Sequence, residues 1–262
     1  MTDVVVVGGG RCGLHAGTML AEQGFAVTLV ERLPQAGGQE PERDAHRLVK
    51  EARLTGVRFV LGTLAVEYRG GAIAMLGIDG AAIVPTKALV LATGTRPRTR
   101  AELNIGGERG AGVLPGSAAL HFLDSGLLPG RRPVVIGSGE LAHHLTSKLL
   151  SKGAQEVSVV TESGAGVFPE SVRHYSHARP KTIRGFPRLH TLEIETRDRL
   201  LSLSTDSVIL ASGRIPMRNV EGAIYGGSPT VYECFSDSDP KTADNARTIA
   251  ATTSRLITSR LR

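Results

Sequence analysis

The sequence predicts an α/β protein made of two Rossmann-like nucleotide-binding domains, the second inserted in the first and reduced in size. Three observations support this prediction. A short apolar run at the start, VVVV, passes directly into glycines, as a buried strand does when it enters a phosphate-binding turn. The same order returns about 130 residues later as PVVIGSG. Both copies precede a helical pattern that leads to another apolar strand.

The first βαβ unit has predicted strands at residues 4–7 and 26–31, with a helix at 11–23 between them. The elements predicted next are a helix at 44–54, a strand at 57–61, alternating strands with glycine turns at 64–84, and a buried strand at 88–92. Residues 101–116 are rich in glycine and polar side chains, so we expect them to form a surface connection.

The second βαβ unit follows a predicted helix at residues 117–125. It has strands at 132–136 and 157–162 and a helix that ends near Lys152. Residues 163–206 contain few clear strand patterns, which predicts that this domain is trimmed. The last predicted elements are a strand at 207–211 and a closing helix at 239–261. The first domain is therefore assigned residues 1–129 and 216–262, and the second domain residues 130–215.

The first glycine turn carries the chemistry of a dinucleotide site. Gly8, Gly10 and Gly13 form GxGxxG directly after a strand, and Glu31 ends the next strand. Gly8 permits the tight turn, Gly10 lets a pyrophosphate approach the backbone, and Gly13 lets the helix pack closely on the strand. The amides at the start of the helix favour phosphate, and Glu31 can accept hydrogen bonds from ribose hydroxyls. The alternative is a glycine-rich turn with a purely structural role.

Two further segments make a resemblance specific. VERLPQAGGQ contains Gly38 and Gln39, and VLATGTRP contains residues 92–94. Together with VVVVGGGRCGLHAG, they resemble the two-dinucleotide-domain flavoproteins, the group of glutathione reductase, thioredoxin reductase and the C-terminal half of trimethylamine dehydrogenase. The resemblance implies FAD in the first domain and a pyridine nucleotide in the second. The residues it implies for FAD binding are Gly8, Gly10, Arg11, Cys12, Gly13, Glu31, Arg32, Gly38, Gln39, Ala92, Thr93, Gly94 and Asp237.

The segment RGAGVLPGSAALHFLDSGLLPGRRPVVIGSGELA is similar to the interdomain segment of one subgroup. This subgroup contains the FAD-dependent subunits of heteromeric, dye-linked amino-acid and opine dehydrogenases and of hydrogen cyanide synthase. VYECFSDSDPK resembles the last FAD motif of the family, with Asp237 at the aspartate position and Ser236 where glycine is usual. Arg11 and Cys12 stand where the family usually has proline and alanine. Arg11 either extends toward the pyrophosphate or lies at the surface, and Cys12 is either a reactive thiol at a helix start or a small packed side chain.

The second glycine turn has Gly137 and Gly139, with Ala142 in place of the third glycine. Glu140 follows the turn. Glu162 ends the next strand, where an acid favours the 2′-hydroxyl of NAD or ADP and repels the 2′-phosphate of NADP. This site therefore holds NAD, holds a passive nucleotide, or is vestigial.

Composition narrows the classes of function. The formal charge of +6 is dispersed and only 4% of residues are aromatic, which argues against nucleic-acid binding. The two cysteines form neither CxxC nor CxxxxC, so the sequence predicts no local redox dithiol. No apolar run approaches the ~20 residues of a membrane span, and the start lacks a secretory pattern, so the chain is expected to be cytoplasmic. The scattered histidines predict no metal site.

These observations favour an FAD-dependent oxidoreductase whose flavin performs the electron transfer. The predicted elements leave no residues for a substrate domain. We therefore expect a flavin-carrying subunit that works with another dehydrogenase subunit on an amine, amino acid or imino acid. Two alternatives are open: a stand-alone NADH-dependent reductase of a small redox protein or quinone, and a non-catalytic subunit that retains the fold.

Overall fold

A computed structural model of the chain describes residues 2–38, 42–164, 166–217, 229–235 and 243–262. The chain divides into two units by contact density. Unit 1 is Met1–Arg96 with Pro216–Arg262, and unit 2 is Pro97–Ile215. The first boundary therefore lies well before the predicted one at residue 130. The reason is that residues 97–129 supply strands and a helix to unit 2.

A five-stranded parallel sheet forms the centre of unit 1. With elements numbered along the chain, its order is β19 (Val231–Glu233), β7 (Ala88–Leu91), β1 (Val4–Val7), β2 (Val27–Val30) and β3 (Arg58–Val60). The strands β1, β2 and β7 are buried at every residue. Continuous apolar strands of this kind are typical of parallel sheets covered on both faces.

Helices and a second sheet cover the two faces of this parallel sheet. The helices are α1 (Arg11–Glu22), α2 (Glu42–Leu54) and α5 (Ala243–Leu261). Leu14 and Leu20 of α1 and Ile257 of α5 lie in one apolar core with β1 and β2. On the other face lies an antiparallel sheet, whose strands are β4 (Thr63–Arg69), β5 (Ala72–Gly77) and β6 (Gly80–Pro85). The part of the predicted closing helix at residues 239–242 lies outside the described residues.

Unit 2 repeats this plan. Its parallel sheet has the order β10 (Val113–Pro115), β17 (Ser207–Leu210), β11 (Pro133–Ile136), β12 (Ser158–Thr161) and β13 (Arg173–Ser176). A four-stranded sheet has the order β16 (Leu200–Ser204), β15 (Thr191–Glu195), β14 (Arg179–Arg184) and β9 (Gly106–Gly107). The helices are α3 (Gly116–Asp124) and α4 (Glu140–Ser151). The strands β8 (Thr95–Pro97) and β18 (Arg214–Pro216) form a two-stranded sheet.

Two expectations for this region are wrong. Residues 163–206 are not poor in strands, because β13 to β16 all fall there. Residues 101–116 are not a simple surface connection, because β9 and β10 join sheets and the side chains of Leu103 and Ile105 are buried in the core. The reduction of unit 2 is instead the loss of a helix. The described residues between β12 and β13 contain none, whereas α2 occupies the matching place in unit 1.

None of the helices in the described part of the chain combines the length and apolar character that crossing a membrane requires.

Candidate nucleotide sites

Three loops of unit 1 lie side by side because their strands are neighbours. β7, β1 and β2 are adjacent and parallel, so their carboxyl ends share one edge of the sheet. Gly8 follows β1, Glu31 follows β2, and Ala92 follows β7. Ligands of open parallel sheets bind outside this edge, at the point where the strand order changes direction. The structure thus brings together residues that lie up to 84 positions apart in the sequence. For example, Ala92 N–H donates a hydrogen bond to the O of Val7, the last residue of β1, at 2.8 Å.

The backbone of the protein itself requires glycine at two positions of the first turn. Gly8 has φ +108°, and a Cβ there would lie 2.3 Å from Ala92 O. A Cβ on Gly13 would lie 1.9 Å from Gly8 O. Both approaches are far shorter than van der Waals contact. Gly8 and Gly13 therefore shape the turn whether or not a ligand is bound.

Gly10 differs from both of these glycines. Its φ is −79°, which any residue adopts, and it is the N-cap of α1. A Cβ at Gly10 would find only Gly38 Cα, at 4.0 Å, which is ordinary contact. Nothing in the described part of the protein requires glycine here. The open space in front of the first amides of α1 is where the pyrophosphate of a dinucleotide binds in this type of turn, so these residues fit FAD.

The GGQ segment packs against this turn. Gly37 N–H donates to Gly9 O at 2.7 Å, and a Cβ on Gly38 would lie 2.9 Å from Gly10 Cα. The predicted site residue Gly38 therefore lies directly beside Gly10. Gln39 and Asp237, which the resemblance also implies, lie outside the described residues.

The carboxylate of Glu31 is anchored by the backbone. Its Oε2 accepts a hydrogen bond from Gly9 N–H at 2.7 Å, and its Oε1 accepts one from Leu33 N–H at 2.9 Å. Each carboxylate oxygen has a second lone pair, so two acceptor positions are still available to ribose hydroxyls. Glu31 thus orders the turn and can also bind a nucleotide.

A small open cleft lies at this edge of unit 1. The sequence prediction included four of the residues that line it, namely Gly8, Glu31, Arg32 and Thr93. It missed the others, which are Val7, Val30, Thr63, Leu64, Ala65 and Met217. No local motif marks the missed residues, because β4 supplies three of them and Met217 comes only after the whole of unit 2.

The loop after β7 holds Met217 in the cleft. Thr93 Oγ1 donates to Met217 O, and Met217 N–H donates to Gly94 O at 2.9 Å. Gly94 has φ +83°, a conformation that favours glycine. The ATG motif therefore turns the chain at the sheet edge and binds the strand end that returns from unit 2.

Arg11 and Cys12 occupy the first turn of α1, and both are half-buried. The Cys12 side chain packs against the core that contains Cys234, and Cys234 Sγ lies 3.8 Å from Cys12 O. The thiol of Cys12 and, after it, burial raise the pKa of Cys234. Spacing along the chain does not indicate this pair, because the two residues lie 222 positions apart.

Unit 2 has the same turn at the carboxyl end of β11. Gly137 has φ +138°, and a Cβ there would lie 2.5 Å from Ala211 O. A Cβ on Gly8 would meet Ala92 O in the same way. Gly139 has φ −80° and caps α4, and a Cβ there would meet nothing within 4 Å. The predicted pair Gly137 and Gly139 thus matches Gly8 and Gly10 in geometry. Residues 211–213 match residues 92–94, a correspondence that the sequence analysis missed.

The charges around the two turns differ. The residue after the open glycine is Arg11 in unit 1 and Glu140 in unit 2. A carboxylate in the first turn of a helix competes electrostatically with a phosphate at the same place. Glu162 follows β12 as predicted, but Arg179 Nε lies 3.8 Å from its Oε2. Because an arginine nearby can accommodate a 2′-phosphate, Glu162 alone does not decide between NAD and NADP.

An aromatic and imidazole cluster lies at the same edge of unit 2. His143 of α4 stacks on Phe168 with 4.3 Å between ring centroids, and His174 meets Phe168 edge-on at 5.0 Å. Burial, and after it the His143 imidazole, lower the pKa of His174. Among the described residues, no three His, Cys, Asp or Glu side chains form a group that could hold a metal ion.

Comparisons with known proteins agree with this geometry. Residues 2–114 match the profile of the family described as pyridine nucleotide-disulphide oxidoreductase. A thioredoxin reductase of Lactococcus lactis superposes with a TM-score of 0.69 at 18% identity, covering 99% of this chain and 98% of that one. The chain therefore has the FAD/NAD(P)-binding Rossmann-type fold. This confirms the predicted α/β class.

Two curated relatives are each 26% identical to the chain. One is an opine oxidase subunit of Rhizobium meliloti (strain 1021), which aligns over 191 residues, 66% of this chain and 41% of that protein. The other is the beta subunit of an NADP(+)-dependent formate dehydrogenase of Moorella thermoacetica, which aligns over 176 residues, 63% of this chain and 24% of that protein. The aligned region is thus less than half of either relative.

Proposed function

We propose that the protein is an FAD-dependent oxidoreductase, and that it carries the flavin of a heteromeric dehydrogenase that acts on an amine, amino acid or imino acid. The observation that carries the flavin part is the open cradle at Gly10. Glycine there is required by no neighbouring atom of the described chain, whereas Gly8 and Gly13 are required by the fold. A ligand that approaches the backbone at Gly10 accounts for the difference.

The residues of unit 1 divide the binding work between them. The first amides of α1 and the cation of Arg11 would hold the pyrophosphate. The Glu31 carboxylate would accept hydrogen bonds from the ribose hydroxyls. Thr93, Met217 and the residues of β4 would line the cleft and exclude water. When bound, FAD supplies the hydride and electron transfer, and the protein supplies position and electrostatics.

The heteromeric part of the proposal is supported by the two curated relatives, both of which are named as subunits. The amine, amino-acid or imino-acid substrate is supported by the opine oxidase likeness and by the resemblance of the interdomain segment. The chain has two cysteines and no CxxC. Electrons would therefore pass from the flavin to a partner cofactor or a diffusible acceptor.

Replacing Glu31 with alanine is expected to weaken FAD binding. The variant loses the acceptors for ribose hydroxyls, at a cost of about 1 to 3 kcal/mol or roughly ten- to a hundredfold in Kd. Fluorescence titration of the apoprotein with FAD measures the change.

Glu162→Ala is the matched control, because it removes the corresponding acid of unit 2 and should leave the Kd for FAD unchanged. Glu31 also accepts hydrogen bonds from the backbone N–H groups of Gly9 and Leu33, so its loss could destabilise the turn. The thermal midpoint of each variant apoprotein must therefore be compared with that of the wild type. An unchanged Kd for FAD in Glu31→Ala, in a protein that melts normally, contradicts the proposed role.

The chain alone, loaded with FAD, is expected to reduce a dye only at background rate with amines, amino acids or imino acids. The complex purified from the native host through a tag on this chain should turn over one of them. If the net charge of +6 helps to attract the partner, association should weaken with salt, which screens exposed charges beyond about 8 Å at physiological ionic strength.

The same complex carrying Gly10→Val in this chain tests whether the flavin bound by this chain takes part in substrate oxidation. If it does, the variant complex should lose activity. Brisk turnover of an organic substrate by the isolated chain excludes the heteromeric proposal while leaving the flavin proposal intact.

A stand-alone NADH-dependent reductase is the second candidate. The observation that favours it is the intact turn of unit 2, where Gly139 is as open as Gly10. Rapid bleaching of the bound flavin by NADH in the isolated chain would support this candidate. Absence of bleaching would favour the heteromeric dehydrogenase.

A further inference from the structure

The two cysteines of the chain belong to different segments of unit 1. Cys12 lies in the first turn of α1, within the first segment. Cys234 directly follows β19, within the segment that returns after unit 2. Both are reduced thiols in the structure. Although 222 positions separate them, Cys234 Sγ approaches Cys12 O to 3.8 Å, and the two side chains share one core.

We propose that Cys12 and Cys234 form an oxidation site at which hydrogen peroxide converts the thiol pair into an intramolecular disulfide. The proposal rests on this juxtaposition and does not depend on the proposed function. The resemblance to flavoproteins assigns no role to either position, and alanine is the usual residue at the first.

The exposure of the two thiols sets their order of reaction. Cys12 is half-buried, so peroxide can reach it, whereas Cys234 is fully buried. The start of a helix also favours the thiolate that reacts with peroxide. Conversely, the Cys12 thiol and burial raise the pKa of Cys234, which makes its thiol a poor first nucleophile. Cys12 is therefore the attacking residue and Cys234 the resolving residue.

The reaction balances in two steps. The Cys12 thiolate attacks one peroxide oxygen, the O–O bond breaks, and hydroxide leaves and takes up the thiol proton as water; Cys12 becomes a sulfenic acid. Cys234 Sγ then attacks the Cys12 sulfur, the S–O bond breaks, and the hydroxyl leaves with the Cys234 proton as a second water. Two thiols are oxidised to one disulfide, and one peroxide is reduced to two waters.

The position of the bond gives it a structural consequence. Unit 2 interrupts unit 1 in the sequence, so β19 and α5 return to β1 and α1 after more than a hundred residues and contact them through packing and hydrogen bonds. A disulfide between Cys12 and Cys234 would join the two segments covalently. Closing so long a loop restricts the unfolded chain, which raises stability in the oxidised form.

Treatment of the folded protein with hydrogen peroxide tests the proposal. We expect titratable thiols to fall from two per chain to none, and peptide mapping to show the Cys12 peptide joined to the Cys234 peptide. The oxidised chain should run as a monomer on a non-reducing gel, and its thermal midpoint should rise by roughly 5 °C or more. Dithiothreitol should reverse every change.

Cys12→Ala is the matched control, since Cys12 is half-buried and alanine is a small replacement. After peroxide this variant should retain one thiol and show no rise in midpoint. Cys234→Ala should instead accumulate a sulfenic acid on Cys12 that dimedone traps. The proposal is overturned if the wild-type protein keeps both thiols, if the disulfide joins two chains, or if Cys12 is oxidised to the sulfinic acid while Cys234 stays reduced.

Discussion

Gly10→Val is expected to abolish FAD retention while leaving the protein folded. The φ of Gly10 is −79° and a Cβ there would lie 4.0 Å from Gly38 Cα, so the first atom of the new side chain makes only an ordinary contact within the protein. It would occupy the space that the pyrophosphate needs in front of α1. We expect the overlap between this side chain and the phosphate to cost about 3 kcal/mol or more. This cost raises the Kd for FAD at least roughly a hundredfold. The absorbance of the purified protein and FAD titration measure this loss.

Two other variants separate the loss of ligand from the loss of fold. Gly139→Val places the same side chain at the same N-cap position of unit 2, so any cost of capping with valine is matched and FAD should be retained. Gly13→Ala should destabilise unit 1 itself, because its Cβ would lie 1.9 Å from Gly8 O. A yellow, normally folded Gly10→Val protein with the wild-type Kd for FAD would rule out pyrophosphate binding at this turn.

The sequence predicts the sheet edges well because their signals are local. A valine strand that enters GxGxxG determines strand, turn and helix within about a dozen residues. The acid at the end of the next strand then falls beside the turn, because adjacent parallel strands end at one edge. This is why Glu31 and Gly8 are found together, and why Glu162 and Gly137 follow neighbouring strands in unit 2.

Long-range pairing is what the sequence does not show. Gly106 and Gly107 have the pattern of a loop, yet they form β9 because they pair with β14. That partner strand lies more than seventy residues away in the sequence. Met217 reaches the cleft through backbone bonds to the loop after β7, and Cys234 reaches Cys12 only when β19 joins the sheet. Neither spacing nor composition encodes these contacts. Arg179 likewise approaches Glu162 from β14, so the charge at that position could not be judged from Glu162 alone.

Gly139→Val is expected to abolish nucleotide binding by unit 2 if that unit binds one, and to leave FAD content unchanged. The geometry repeats that of Gly10, with φ −80° and no atom within 4 Å of a Cβ. The electrostatics differ, because Glu140 stands where unit 1 has Arg11, so the wild-type affinity for NADH should be weaker than the affinity for FAD. Titration of wild type and variant with NADH and NADPH measures the loss, which should again be at least roughly a hundredfold.

Glu140→Gln is the companion variant, and removal of its charge should tighten NADH binding. If Gly139→Val changes neither nucleotide binding nor flavin bleaching, the turn of unit 2 is structural, and the stand-alone reductase is excluded because it needs a nicotinamide site in that unit.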